Sequence, residues 1–260
     1  MKKFVNDLIK YHHVTVYMAK SELKTEVAGS YLGWLWWILD PTLYMFVYGF
    51  IALIVFRASE PYFVSFVFIG LNVWNFFSHT VQASVKLVQQ NSHIVSKVYI
   101  PKFCLILYKI YVNGFKLLIT VSLVLVTMIA YKVHITPRVL YVIPSLLLLA
   151  IITFGISCIL MHFGVYVEDL SNIVKVLLQL AFYISGIFFS LVKRVPAPYG
   201  QLLCTINPVA FIIDTIRKVA LYATNPGWKV MILWFVISGI LCVIGVKLLY
   251  KFENSYVKII

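Results

Sequence analysis

Six stretches of mostly apolar residues divide the sequence, near 34–56, 62–82, 103–131, 139–164, 172–192 and 228–250. Each has roughly the twenty residues needed to cross about 30 Å of hydrocarbon. In hydrocarbon the backbone must satisfy its own hydrogen bonds, so each stretch reads as a helix. The alternating segments of a membrane β-barrel do not occur. The expected fold is therefore an all-α integral membrane protein with six transmembrane helices. The composition agrees: 62% of residues are hydrophobic and 12% charged, against about 45–50% and about 25% in soluble domains. The third stretch, about 43 Å long as a helix, must tilt or protrude.

Residues 1–30 are not a span. At helical pitch Val5, Leu8, Ile9, Val16, Ala19 and Leu23 share a face about 120° wide, with Lys2, Lys3, Lys10, Lys20 and Lys24 on one flank. That is an amphipathic interface helix lying on the membrane surface, ahead of a six-span domain at 31–260. The short apolar region and cleavage site of a signal peptide are not expected here.

An even number of spans puts both termini on one side. Lys2, Lys3, Lys10, Lys20, Lys24, Lys86, Lys97, Lys102, Lys175, Lys247, Lys251 and Lys258 fall on that side. They outnumber Arg57, Lys132, Arg138, Lys193, Arg194, Arg217, Lys218 and Lys229 on the other. The positive-inside rule then makes both termini cytoplasmic. The net charge of +13 is explained by basic connections facing an anionic leaflet, and no nucleic-acid partner is expected. Residues 193–227 form the longest external segment. In it, Asn207 caps a helix beginning at Pro208, with Val209, Ile212, Ile213, Ile216 and Val219 on one face and Asp214, Arg217 and Lys218 away from it. This reads as a re-entrant segment in the outer interface before the last span.

Chemistry of its own is not expected of the chain. There is no G-x-x-x-x-G-K-S/T loop to cradle nucleotide phosphates and no H-E-x-x-H metal motif. Glu168 and Asp169 are adjacent and point apart on a helix. No catalytic residue, metal site or bound cofactor follows. Cys104, Cys158, Cys204 and Cys242 form no C-x-x-C pair and read as small buried residues.

Polar residues inside apolar stretches are costly unless they face the bundle or water. Ser65, Asn72, Asn75 and His79 lie within about 80° of one face of the second span. Two readings are open for them, a transport path and interhelical hydrogen bonding. On the third span Lys109, Asn113 and Lys116 share a face. Lys109 is close enough to the cytoplasmic end to snorkel, whereas Lys116 is deeper and meets either an anionic group, such as a lipid-linked phosphate, or a structural partner. Asp40-Pro41 reads as a helix start or kink. Trp34, Trp37, Tyr44 and Tyr48 lie within about 80° of one another, either as a surface for sugar rings or as an interfacial aromatic belt.

The run Gly29-Ser30-Tyr31-Leu32-Gly33-Trp34-Leu35-Trp36-Trp37-Ile38-Leu39-Asp40-Pro41 resembles the S-x-L-G-x-L-W-x-x-L-x-P signature of membrane subunits of type-two ABC exporters for polysaccharides. Asn91-Ser92-His93-Ile94-Val95-Ser96-Lys97-Val98-Tyr99-Ile100-Pro101 resembles their N-x-x-L-I-x-K-x-x-F-P segment, and Asn207-Pro208 with Arg217 their external N-P…R stretch. The chain departs from the pattern at Glu26-Val27-Ala28, where a basic, tyrosine-containing stretch is usual, and at Glu168-Asp169, where Arg-Asp is usual.

The resemblance implies a multi-pass protein of the cytoplasmic (inner) membrane that exports a lipid-linked glycan of O-antigen, capsule or teichoic acid type. It implies a homodimer working with two copies of a separate ABC ATPase, which binds the ATP and Mg²⁺. Residues 86–101, with Asn91, Lys97 and Pro101, would couple to that ATPase, and 193–227 would form an external gate. Trp34, Trp37, Tyr44, Tyr48, Asn72, Asn75, His79 and Lys116 are then the substrate-channel candidates. The competing readings are a drug or small-molecule efflux permease and, against the missing acid–base residues, a membrane-embedded transferase.

Overall fold

The computed structural model describes residues 2–51 and 60–259, and their side chains except at 48–49 and 257–259. Arg57 and the side chains of Tyr48 and Lys258 lie outside the described residues. Every regular element described is helical. In chain order the helices are α1 (Lys2–Lys10), α2 (His12–Ala28), α3 (Trp36–Phe50), α4 (Phe63–Val85), α5 (Leu87–Gln90), α6 (Ser92–Val95) and α7 (Phe103–Ala130). They continue with α8 (Val142–Tyr166), α9 (Leu170–Ile184), α10 (Leu191–Arg194), α11 (Tyr199–Ile206), α12 (Pro208–Ala220) and α13 (Trp228–Ile259).

The single interface helix expected at the N-terminus is two helices, broken at Tyr11. Their apolar side chains are divided between two surroundings. Phe4, Leu8, Tyr11, Met18 and Leu23 pack on the protein, while Val5 and Ile9 are exposed. The helix α2 also does more than lie across a surface. It runs alongside α7 in parallel, with Glu22 beside Lys109 and Glu26 beside Lys116.

Among the described residues four helices are long and apolar enough to cross a membrane: α4, α7, α8 with the 3-10 turn Pro137–Tyr141 before it, and α13. Two other apolar stretches give shorter helices, α3 and α9, of 15 residues each. The helix α9 stops at Ser185 because Gly186 takes a positive φ of 66°, a helix-ending conformation that glycine adopts without a Cβ clash.

At the centre stands α4. Its apolar side chains, Phe66, Val67, Phe68, Ile69, Trp74 and Phe76 among them, go all round the helix and are buried, as a helix enclosed by others requires. It packs on α3, α7, α8, α9 and α12. The pair α8–α13 closes through small residues. A Cβ on Gly155 would lie 3.0 Å from the Cys242 nitrogen, and one on Gly245 2.5 Å from the Cys158 Cβ. Cys104, Cys158 and Cys204 are buried free thiols and Cys242 is partly buried. A second core gathers Ala19 of α2, Leu87 and Val88 of α5, Val95 of α6, the start of α7 and the far ends of α8 and α13.

Candidate functional site

The helix α3 runs through Asp40-Pro41 instead of starting there: it begins at Trp36, after a 3-10 turn at Gly33–Leu35, and Pro41 lies inside it. Proline has no N–H, so the carbonyl of Trp37 four residues back has no helical partner there. Asp40 caps nothing. It stands on the wall of a cavity of about 220 Å³ between three helices. From α3 come Trp36, Trp37, Asp40, Pro41 and Tyr44; from α4, Asn72, Asn75, Phe76 and His79; from α7, Asn113, Lys116, Leu117 and Thr120. Asp40, Pro41, Tyr44, Asn72, Asn75 and His79 also line a second cavity of about 440 Å³, which Phe68, Trp74 and Phe182 extend toward α9.

The polar stripe of α4 divides into two jobs. Ser65 Oγ lies 2.9 Å from Thr127 Oγ1, and Asn72 Nδ2 donates to the Thr120 carbonyl at 3.4 Å. One residue beyond His79, and so on a different face of the helix, Thr80 Oγ1 accepts from Asn113 Nδ2 at 2.8 Å. That row ties α4 to α7. Asn75 and His79 stand outside it. Both are exposed on a helix that is otherwise largely buried, and both face the cavities.

Six of the eight channel candidates meet here: Trp37, Tyr44, Asn72, Asn75, His79 and Lys116. Trp34 does not. It is 60% exposed in the 3-10 turn, where a projection at 3.6 residues per turn does not hold. The side chain of Tyr48 is outside the described residues. Trp36 lines the cavity instead, its Nε1 donating to Ser30 Oγ at 3.0 Å. Trp37 meets Phe115 of α7 edge-on, with centroids 5.5 Å apart.

Both deep lysines have structural partners. Lys109 pairs with Glu22. Lys116 Nζ lies 2.8 Å from Glu26 Oε1 and 2.7 Å from Oε2. Each partner is some ninety positions away in the chain, so no local pattern announces it.

The Asn207 cap forms as expected: Oδ1 accepts from the Val209 and Ala210 N–H groups at 3.0 and 3.2 Å. Its Nδ2 reaches back to Ser185 Oγ at 3.0 Å. The stripe Val209, Ile212, Ile213, Ile216 and Val219 is buried. Arg217, expected away from that face, is buried as well. Its Nε donates to the Phe66 carbonyl at 3.0 Å, Nη1 to Gly186 at 2.7 Å and Nη2 to Ile187 at 2.6 Å. The guanidinium also stacks 3.4 Å from the Phe66 ring centroid. Buried charge needs such pairing, and the carbonyls freed at the Gly186 bend supply it. Nearby, Glu60 binds Lys193 at 2.7 Å and accepts from Tyr222 at 3.4 Å; burial, with that carboxylate, pushes the phenol up to about 12.

The coupling candidates separate. Asn91 is half-buried, donating to the Leu87 carbonyl at 2.8 Å and to Tyr108 Oη at 3.4 Å. Pro101 is buried, and Lys97 is exposed beside Ser96, Val98 and Tyr99. Partial burial and the Glu253 carboxylate raise Tyr99 to about 12. Among the described residues no group of three His, Cys, Asp or Glu side chains is placed to hold a metal.

An all-helical membrane bundle whose helices enclose a cavity of rings and amides is the build of a permease. The profile of the ABC-2 type transporter family matches residues 13–221, and the chain belongs to that family. It is 28% identical over 219 residues, 84% of each chain, to the O-antigen export system permease protein RfbA of Myxococcus xanthus. Over 246 residues, 94% of each chain, it is 27% identical to a protein of the same name from Klebsiella pneumoniae.

Proposed function

We propose that the chain is the transmembrane subunit of an ATP-driven exporter moving lipid-linked polysaccharide, of O-antigen, capsule or teichoic acid type, across the cytoplasmic membrane. The observation that carries the reading is the cavity wall, where Trp36, Trp37 and Tyr44 of α3 face Asn75 and His79 of α4. A polymer must slide many sugars past one place, so each contact must be weak and repeated. Rings stack on the apolar C–H faces of sugars, and uncommitted amide and imidazole groups exchange hydrogen bonds with hydroxyls. Family membership supports the reading, as do relatives named as O-antigen export permeases across most of their length.

In this reading α3 and α9 complete six spans with the four long helices, and both termini are cytoplasmic. The helices α10 to α12 form a re-entrant external gate. The unit is a homodimer with two copies of an ABC ATPase, which carries the nucleotide and Mg²⁺, and residues 86–101 couple to it. The energy comes from that partner because the sequence offers no phosphate-cradling loop.

The test is deletion of the gene. Lipid-linked polymer should accumulate on the cytoplasmic side and return to the surface when the gene is restored. Undiminished surface polymer in the deletion strain sinks the reading, and accumulation of a small apolar compound in its place points to an efflux permease.

A further inference from the structure

The seam between α2 and α7 holds two ion pairs, and they differ in surroundings. Lys109–Glu22 is the more enclosed, with side chains 18% and 25% exposed, whereas Lys116–Glu26 is 32% and 34% exposed. Only the second borders the cavity. Lys116 is on the cavity wall, and Glu26, reaching it from α2, is not. Something in the cavity can therefore approach the ammonium without first moving the carboxylate.

We propose that Lys116 is the anion-binding residue of this cavity, and that Glu26 occupies its ammonium until the phosphate or diphosphate head group of an amphiphile displaces it. The proposal rests on the export reading and names the part of the substrate this wall would take. An ammonium has three donors; the two Glu26 oxygens lie within 2.8 Å of it. A phosphate monoester brings about −1.5 to −2 charge against the single charge of a carboxylate, so it wins the exchange once it arrives. Its remaining oxygens find donors on the same cavity lining, at Asn75 across from Lys116 on α4 and at the second amide N–H of Asn113 on α7, whose first goes to Thr80. Asp40 lines the α3 wall and repels an anion, which confines the head group to the α7 side. Through Asn72 and Leu117 the cavity borders an apolar cleft of about 290 Å³, walled by Val121, Val124 and Met128 of α7 and Leu146 of α8. That cleft suits a hydrocarbon tail. Loss of the Glu26 pair would also free the C-terminal end of α2 from α7, while Glu22 keeps the rest in place.

The test uses the full chain in detergent with farnesyl diphosphate as probe, and farnesol and inorganic pyrophosphate as comparisons. Binding is read by tryptophan fluorescence, with Trp36 and Trp37 on the cavity wall, and checked by native mass spectrometry. Farnesyl diphosphate should bind more tightly than either comparison. Lys116→Gln should weaken it at least tenfold, and Glu26→Gln should tighten it at least threefold. Lys109→Gln and Glu22→Gln, which perturb the same seam, should leave the affinity within twofold. A pair with only a structural role cannot give opposite signs at its two members. The proposal is overturned if Lys116→Gln binds like the parent, if Glu26→Gln weakens binding, or if farnesol binds as well as the diphosphate. Pyrophosphate binding as tightly as farnesyl diphosphate overturns the amphiphile and leaves a site for free anions. None of these affinities bears on the gene-deletion result, so the two readings fail separately.

Discussion

Arg217 and Gly70 form one device made of two residues. The guanidinium joins α12 to the start of α4 and to the bend after α9, and it fits because Gly70 has no side chain. A Cβ there would lie 2.6 Å from Arg217 Nη2 and 3.2 Å from the Ile187 carbonyl. Gly70→Ala should therefore cost about 1–3 kcal/mol, as overpacking does, and lower the Tm of the detergent-solubilised protein by several degrees. Gly114→Ala on α7 is the control: the nearest atom to its Cβ is 3.9 Å away, and alanine is the better helix former. Its Tm should be unchanged or higher, and equal losses at the two positions would break the argument. The sequence foretold the Asn207 cap because the N–H groups it binds are two and three residues ahead. It did not foretell the burial of Arg217, whose partners lie 30 to 151 residues away.

At the scale of elements, α5 and α6 show the same division between support and surface. Asn91 is turned inward to Leu87 and Tyr108, while Lys97 projects with Val98 and Tyr99. Asn91→Ala should lower the Tm, since each lost hydrogen bond is worth about 1 kcal/mol. Lys97→Ala should leave the Tm alone and cut transport-stimulated ATP hydrolysis several-fold in vesicles holding the partner ATPase. The converse pattern, a stable Asn91→Ala with poor coupling and an unstable Lys97→Ala, would reverse the assignment. Length and hydropathy announced the four long helices. They did not announce the start of α3, where tight Gly33 geometry at φ 50° precedes the first turn, or the break at Tyr11. Such boundaries depend on what the flanking residues pack against.

At the scale of the whole molecule, exposed positions on the bundle divide into wet and dry. Asn75 and Leu177 are both exposed, yet Asn75 opens on the cavity beside His79 and Lys116 and Leu177 lies on the apolar outside of α9. In a background lacking Cys104, Cys158, Cys204 and Cys242, a cysteine replacing Asn75 should react with a water-soluble thiol reagent at least tenfold faster than one replacing Leu177. Lipid or a second copy of the chain keeps the latter dry in either case. Equal rates would mean that the cavity holds no water path.

The sequence by itself determined the membrane class, the helical fold and which stretches become the long helices, because hydrocarbon leaves the backbone no alternative to internal hydrogen bonding. It also grouped six of the residues that line the cavity, helix by helix, since residues sharing a helix face stay together wherever the helix goes. Tertiary structure alone decided which polar residues are spent on holding helices together and which remain open. Ser65 and Asn72 belong to one stripe with Asn75 and His79, but only the first two meet partners on α7. It decided likewise that Lys116 faces both Glu26 and the cavity. Periodicity fixes direction around one helix; what stands opposite depends on how the helices pack.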